Sequence, residues 1–125
     1  MGKGYLIDTN VIIDFSANRI PAPGKKLLSD CLDNAPVISV IMKIELLGFP
    51  IVTSAITDLV KSSLIIGLTD EIVEKTIQIR KQYKVKLPDA IIAATSIVSD
   101  LTLLSRNSSD FKKIKVLNYL DLFQL

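Results

Sequence analysis

Short apolar runs that alternate with helical stretches constrain the fold of this chain more than any other feature. Strand-like runs lie at 5–7, 37–39, 64–66, 101–104 and 115–117. They are short and consist largely of apolar residues instead of alternating between polar and apolar ones, which is typical of strands that are buried on both faces. Helical patterns separate the runs. The sequence therefore predicts an α/β fold, in which helices cover both faces of a parallel sheet.

The helical patterns account for most of the remaining residues. Helices are predicted at 11–15, 25–32, 40–47, 53–62, 70–83, 89–98 and 111–114, followed by a last helical turn or two within 118–125. Pro21, Pro23 and Gly24 predict a loop before the second helix, and Ser54 is a candidate cap of the fourth. Because no linker or repeat separates these elements, the 125 residues are expected to form one domain.

Composition excludes several classes of protein. Hydrophobic residues make up 49% of the chain, which is ample for a packed core and argues against intrinsic disorder. The longest stretches without a charge, such as 46–57, are too short to cross a membrane, and the N-terminus carries no signal-peptide pattern. The single cysteine, Cys31, cannot form an internal disulfide, which fits a reducing compartment. A cytoplasmic protein without membrane contact is expected.

The absence of histidine narrows the possible chemistry further. It rules out a Ser-His-Asp triad, a histidine general base and any zinc site with histidine ligands. The net charge of +2 is too small to argue for or against binding to nucleic acid. Catalysis would therefore depend on carboxylates, hydroxyls, amides, lysines and arginines.

Four of the acidic residues lie in apolar surroundings. Asp8 and Asp110 follow the first and fourth predicted strands. Asp89 begins an apolar helix, and Glu45 lies within another. Taken singly, Asp8 and Asp110 can be explained as helix caps, and Asp89 as a first-turn acid that the helix dipole favours. Glu45 is harder to explain, because it points about 160° away from Lys43 around the helix. If Lys43 faces solvent, Glu45 is expected to face the interior.

Taken together, these acids predict a metal site. In a parallel sheet, the carboxyl ends of the strands and the helices beside them can meet at one pocket. Several carboxylates held together there repel one another, and a divalent cation compensates for this repulsion. Oxygen ligands favour Mg²⁺ or Mn²⁺ over zinc. Such a site activates water and stabilises the leaving oxygen in phosphodiester hydrolysis, which needs no histidine.

The four acids lie in segments that resemble the motifs of a known family. These segments are LIDTNVIID at 6–14, SVIMKIELLG at 39–48, YKVKLPDAIIAAT at 83–95 and LLSRNSSDF at 103–111. In their order and separation they resemble the motifs of PIN-domain ribonucleases, and among these the VapC-type toxins of type II toxin–antitoxin systems. The resemblance covers nearly the whole chain and implies a single PIN domain over 1–125.

The resemblance implies a fold and a set of residue roles. The fold is the PIN-like three-layer α/β/α sandwich with a five-stranded parallel sheet in the order 3-2-1-4-5. The implied catalytic and metal-binding acids, with Mg²⁺ or Mn²⁺ as the cofactor, are Asp8, Glu45, Asp89 and Asp110. The implied supporting residues are Thr9, Ser105 and Asn107. Ser105 stands where threonine is more usual, and Asn107 occupies a position at which related nucleases can carry an acid.

The implied function is that of a toxin that acts on RNA. Such proteins cleave tRNA or rRNA in a Mg²⁺-dependent reaction and so arrest translation; they pair with a small antitoxin protein and form homodimers. The candidate RNA contacts are Arg106, Arg80, Lys81, Lys84 and Lys86. The cluster at 80–86 can also be explained as a solvated helix end, where cations interact favourably with the C-terminal dipole. The 46–68 region, which often helps to form the dimer and antitoxin surface in the family, is a few residues shorter than in close relatives.

Other functions compete with this one. A phosphoacceptor receiver domain shares the size and an acidic Mg²⁺ pocket, but it needs adjacent acids after its first strand, where Asp8 stands alone. It also needs a phosphorylatable aspartate after its third strand, where the sequence reads GLT at 67–69. A haloacid-dehalogenase phosphatase would need an acid in place of Asn10. The remaining alternatives are a PIN nuclease of RNA processing without a toxin role, and a non-catalytic binding module, against which the presence of all four acids counts.

Overall fold

A five-stranded parallel sheet forms the centre of the computed structural model, which describes residues 4–106 and 108–125, the side chain of Ser108 excepted. The strands are β1 Gly4–Ile7, β2 Val37–Ser39, β3 Leu64–Ile66, β4 Leu101–Leu104 and β5 Tyr119–Leu120. Their order is β3-β2-β1-β4-β5, and all four pairings are parallel. The predicted fold class and sheet order are confirmed.

Seven α-helices flank the sheet in the described part of the chain. They are α1 Thr9–Ser16, α2 Ala22–Asp33, α3 Val40–Leu47, α4 Ser54–Ser62, α5 Asp70–Gln82, α6 Leu87–Val98 and α7 Ser108–Phe111. A 3₁₀ turn at Leu122–Gln124 follows β5 and packs against α2. Among the described residues, each helix is too short or too polar to cross a membrane.

The core lies between the central strands and the helices that cover them. β1 and β4 pair with each other near the middle of the sheet, and the last two side chains of each strand are fully buried. α6 packs along α5 and beside β4, and its residues 90–96 are all buried. The nearly uncharged sequence of α6 therefore reflects burial around most of its circumference, as its composition predicts. This rigid centre supports the polar residues that follow β1 and β4.

The predicted loop at Pro21, Pro23 and Gly24 is wrong for most of its length. α2 begins at Ala22, so Pro23 lies in the first turn, where its missing N–H needs no partner. Gly24 is buried because α2 runs close to the 3₁₀ turn: a Cβ atom at this position would lie 2.3 Å from the carbonyl oxygen of Leu122. The glycine therefore permits two elements to pack and does not mark a loop.

The last strand, β5, lies further along the chain than the predicted 115–117. Phe111, Ile114 and Leu117 are all buried at a spacing of three, and the last two donate their N–H groups to the carbonyls three residues earlier. This spacing is typical of helical turns, so the segment cannot pair as a strand. The tail at 118–125 supplies β5 first and then the 3₁₀ turn, so one helical turn is present where a last turn or two is predicted.

Two helix boundaries also differ from the prediction. The N-cap of α4 is Thr53, whose hydroxyl accepts the N–H of Ile56 at 3.3 Å, and Ser54 is already inside the helix. α7 begins at Ser108 and ends at Phe111, which places it before the predicted 111–114. In both cases the sequence predicts a helix in the right region but misplaces its first turn.

Candidate functional site

The polar side chains that follow the central strands meet at the carboxyl edge of the sheet. Asp8 directly follows β1, and Glu45 lies on α3, which follows β2. Asp89 lies in the first turn of α6, the helix that leads into β4. An open pocket at this edge, the carboxylate pocket, is lined by Asp8, Thr9, Asn10, Glu45 and Asp89 together with apolar neighbours.

Asp8 is the most buried of the four candidate acids. It is 4% exposed and caps α1, with Oδ1 accepting the N–H of Thr9 at 2.8 Å. Its Oδ2 accepts a hydrogen bond from the hydroxyl of Ser105 at 2.8 Å, across 97 positions of sequence. The pKa of Asp8 is raised to about 6, chiefly by burial and further by the charges of Asp89 and Glu45, against the lowering effect of these hydrogen bonds. Asp8 therefore both caps a helix and repels two other carboxylates.

Glu45 lies at the mouth of the pocket and does not face the interior. The residue is exposed, whereas Met42 and Leu46 on the same helix are fully buried. The expectation of a buried Glu45 is therefore wrong, because Lys43 and Glu45 lie on opposite flanks of one buried stripe and both reach solvent. The hydroxyl of Thr9 donates to Oε1 of Glu45 at 2.8 Å and holds this carboxylate over the pocket.

Asp89 and Asp110 lie close enough beside the pocket for their carboxyl groups to interact. Burial raises the pKa of Asp89; the charge of Asp110 and the hydrogen bond between the two carboxyl groups raise it further, against the ammonium group of Lys86. Asp110 lies in α7, and its Oδ1 is 3.6 Å from Nζ of Lys113. Asp110 therefore contacts the site through Asp89 and does not line the pocket itself.

The candidate supporting and RNA-binding residues lie in different places. Thr9 and Ser105 contact the acids directly through their hydroxyls. Asn107 lies outside the described residues. Lys86 is the N-cap residue of α6 and lies near Asp89. The exposed residues around the end of α5, which do not line the carboxylate pocket, are Arg80, Lys81 and Lys84.

A fifth acid, Asp14, lies buried next to this pocket, and the sequence patterns did not single it out. It is 6% exposed, in the last half of α1, and it lies between Arg19 and Arg106. The sequence did contain a signal. Asp14 follows Val11 by three positions in a short apolar helix, which places it on the buried side.

The donor set of the pocket fits a hard divalent cation. Its charged groups are carboxylates with hydroxyls beside them, and Mg²⁺ and Mn²⁺ prefer oxygen ligands. The raised pKa values of Asp8 and Asp89 mark groups whose ionised form a cation would favour. Among the residues that the structure describes, no three acids stand close enough together to ligate one ion. This suits Mg²⁺, which is usually held by one or two carboxylates and keeps several waters.

The structure is similar to proteins of toxin–antitoxin pairs. A chain of a toxin–antitoxin complex from Klebsiella pneumoniae is 28% identical, with 98% of this chain and 100% of that chain covered and a TM-score of 0.69. VapBC-1 from nontypeable Haemophilus influenzae is 24% identical over 96% of this chain and 98% of that chain, with a TM-score of 0.79. DNA-bound VapBC from Salmonella typhimurium is 19% identical over 98% and 99%, with a TM-score of 0.76. At 24% and 19% identity, the Haemophilus influenzae and Salmonella typhimurium structures show that the fold is shared.

Sequence comparison identifies the family. A search of curated protein sequences found no significant match. The family model for the PIN domain matches residues 5–117, a span that contains all four candidate acids. The resemblance seen in the four motifs is confirmed by this match and by the sheet order. The chain belongs to the PIN domain family.

Proposed function

We propose that this protein is a divalent-metal-dependent endoribonuclease, the toxin of a VapBC-type pair, and that it cleaves tRNA or rRNA. The observation that carries the proposal is the meeting of Asp8, Glu45 and Asp89 at one open pocket. The similarity to a chain of a toxin–antitoxin complex supports the toxin role. A small antitoxin, a homodimer, a cytoplasmic location and a single PIN domain over 1–125 belong to the same proposal.

The acids of the pocket would hold a divalent cation next to the substrate. Mg²⁺ or Mn²⁺, when bound, supplies the charge that polarises the scissile phosphate and lowers the pKa of the attacking water. One or two of Asp8, Glu45 and Asp89 would hold it directly, and the remaining acid would contact it through the waters that Mg²⁺ keeps. Asp110 lies beside Asp89 and adds negative charge to this side of the pocket, which increases the attraction of the site for a cation.

Two hydroxyls keep the carboxylates in position. Ser105 donates to Asp8 and Thr9 donates to Glu45, each at 2.8 Å. A carboxylate has about four lone-pair sites, so each acid keeps acceptor capacity for a cation or a water. Because the pocket is open and Glu45 is exposed, a single strand or a loop of RNA can reach the carboxylates from solvent.

The sheet order argues against the receiver-domain alternative. Flavodoxin-like receiver domains have the order 2-1-3-4-5, in which the third strand lies in the middle of the sheet beside the site. Here β3 is an edge strand, separated from β1 by β2. A residue after β3 would therefore lie away from Asp8, where a phosphoacceptor has to be close.

Expression in a bacterial host without a cognate antitoxin tests the toxin role. We expect the wild-type protein to arrest growth and to generate new RNA 5′ ends that map to tRNA or rRNA. Asp89→Asn is expected to do neither at equal protein levels. Asp58→Asn, which changes an exposed acid on α4, is the matched control and should behave as the wild type does.

Two outcomes would overturn parts of the proposal. New RNA ends without growth arrest would favour a nuclease of RNA processing over a toxin. Equal growth and equal RNA profiles for the wild type and Asp89→Asn would contradict the nuclease itself.

A further inference from the structure

Asp14 joins two arginines into one cluster. Its carboxylate oxygens lie 3.7 Å from Nε of Arg19 and 3.6 Å from Nη1 of Arg106. Two cations and one anion leave one net positive charge. In the described part of the chain, neither arginine is ion-paired with another acid. Because a guanidinium group carries five N–H donors, most of the donors of this cluster remain available to a ligand.

The end of α1 places Arg19 over Asp14. Asn18 has a left-handed φ of 56°, and its N–H donates to the carbonyl of Phe15 at 3.0 Å. The N–H of Arg19 then reaches back to the carbonyl of Asp14 at 2.8 Å. These two bonds form a Schellman motif. The position of Arg19 is therefore built into the backbone and does not depend only on its side-chain ion pair.

Arg106 is held by an aromatic ring as well as by a charge. Its guanidinium carbon lies 4.0 Å from the centroid of the Phe123 ring, in a cation–π contact. Phe123 belongs to the 3₁₀ turn, which Asp121 caps by accepting the N–H of Phe123 at 2.9 Å. The Arg106 side chain is still 53% exposed, so a ligand can reach its N–H donors from solvent.

The arginine cluster borders the carboxylate pocket. Asn10 and Ile13 line both the carboxylate pocket and the pocket of the two arginines. Arg106 directly follows Ser105, whose hydroxyl holds Asp8. The two pockets thus form one continuous surface, in which an acidic half and a basic half lie side by side.

We propose that Arg19 and Arg106, held by Asp14, bind a phosphate of the RNA strand next to the one that is cleaved. The carboxylate pocket alone repels a polyanion, so the strand needs a cationic anchor close to it. Guanidinium groups match the oxygens of a phosphate in geometry as well as in charge. The inference rests on the proposed ribonuclease function and deepens it by assigning the residues that hold the substrate.

A binding measurement in a cleavage-inactive background tests the anchor. Labelled single-stranded RNA is titrated with Asp89→Asn protein, alone and combined with Arg19→Ala or Arg106→Ala, over a range of salt concentrations. We expect each arginine variant to weaken binding roughly tenfold and to lower the slope of log K against log salt by about 0.7, the value for one phosphate contact on a single strand. Lys61→Ala is the matched control. It removes an exposed cation just before β3, at the opposite edge of the sheet, and should leave the slope unchanged.

Kinetics of the active protein separate anchoring from structural damage. Arg19→Ala is expected to raise KM roughly tenfold with little change in kcat, because the contact is made equally before and in the transition state. Arg19→Lys should show a smaller rise in KM than Arg19→Ala, since lysine keeps the positive charge but lacks the planar guanidinium group that can donate two parallel hydrogen bonds. The Arg19 side chain is 59% exposed, so the melting temperature of these variants should stay close to that of the wild type.

The anchor and the nuclease can fail separately. If Arg19→Ala and Arg106→Ala match Lys61→Ala in RNA affinity and salt slope, the anchor is wrong even when the wild type cleaves RNA. If the wild type does not cleave RNA in Mg²⁺, the proposed function is wrong, and the binding measurement still decides whether the arginine cluster holds an RNA strand.

Discussion

Asp8 serves the fold and the site in ways that conflict. Its carboxylate caps α1 and accepts the hydroxyl of Ser105, which stabilises the fold. Its burial in the core, beside the charges of Asp89 and Glu45, opposes ionisation and raises its pKa to about 6. Without a cation, the ionised form therefore destabilises the folded protein at neutral pH, and this is the pattern of a residue kept for function at the expense of stability.

This conflict predicts a pH-dependent stability in the metal-free protein. Folded Asp8 keeps its proton up to a pKa of about 6, whereas the unperturbed value is 3.8. Between these values the folded state binds more protons than the unfolded state, so the free energy of unfolding falls as the pH rises. About two pKa units correspond to roughly 3 kcal/mol. Asp8→Asn removes the charge, while its amide can accept from Thr9 and donate to Ser105.

We therefore expect Asp8→Asn to be more stable than the wild type at about pH 8 by roughly 2–3 kcal/mol, and close to it at about pH 4. Urea unfolding with a chelator present measures both values. Asp58→Asn, an exposed change, should show no such gain. A loss of stability on Asp8→Asn at the higher pH would contradict the account of Asp8.

Thr9→Val separates the positioning of Glu45 from the stability of the fold. The change removes the hydroxyl that donates to Glu45, so we expect the rate of RNA cleavage to fall about 10- to 100-fold, as for other partners of metal ligands. Thr76→Val is the matched control. Thr76 is 7% exposed against 8% for Thr9, and its hydroxyl donates to the carbonyl of Ile72 within α5. Equal activities of the two variants would show that the Thr9 hydroxyl does not position Glu45.

Among the elements, α1 contributes most to the site. Asp8 caps its start, Thr9 and Asn10 form its first turn, and the buried Asp14 lies near its end. The run at 6–14 thus leads from a strand through a cap into a helix whose two ends contact the acidic and basic halves of one surface. A helix of eight residues can do this because β1 and the Schellman motif fix both of its ends.

The packing of α2 on the 3₁₀ turn predicts a specific sensitivity to a methyl group. A Cβ atom on Gly24 would lie 2.3 Å from the carbonyl oxygen of Leu122, which is backbone and cannot rotate away. We expect Gly24→Ala to destabilise the protein by about 1–3 kcal/mol or more. Gly67→Ala is the control, because nothing lies within 4 Å of the added atom there. Thermal unfolding of both variants measures the difference, and equal melting temperatures would contradict the close approach.

The success of the sequence predictions varied with the kind of element. The first four strands are predicted near their observed positions because parallel strands buried on both faces require largely apolar runs. β5 was misplaced because it is two residues long and a turn of buried residues precedes it. The angle between Lys43 and Glu45 does not by itself predict a buried Glu45, because the buried stripe of Met42 and Leu46 lies between them and leaves both exposed. The role of Arg19 depends on contacts with Asp14 that no local pattern specifies.

At the scale of the whole molecule, the site exists only when the sheet is assembled. Ser105 and Asp8 are 97 positions apart in sequence and 2.8 Å apart in the structure. The pairing of β1 with β4 brings them together, and the pairing of β1 with β2 brings α3 and Glu45 to the same edge. Cation binding should therefore favour the folded state over the unfolded chain, in which the acids are dispersed.

This coupling predicts that Mg²⁺ stabilises the wild-type protein. At a free concentration of about 100 times Kd, a ligand that binds only the folded state adds about 2.7 kcal/mol to the free energy of unfolding. We expect the melting temperature to rise by several degrees as Mg²⁺ is titrated. The rise should be much smaller for Asp89→Asn, and for Asp58→Asn it should equal that of the wild type. An equal shift in all three proteins would show that Mg²⁺ binds elsewhere.

Cleavage of single-stranded RNA under single-turnover conditions tests the central claim most directly. Wild-type protein is mixed in excess with end-labelled RNA in Mg²⁺, in Mg²⁺ with excess chelator, and in parallel with Asp89→Asn in Mg²⁺. The account predicts cleavage in the first reaction and a rate lower by at least about a hundredfold in the other two. Loss of a residue that only positions a metal ligand lowers activity up to about a hundredfold, and loss of the metal or of a ligand such as Asp89 should lower it at least as much. Cleavage by Asp89→Asn at the wild-type rate, or cleavage that persists in the chelator, would contradict it.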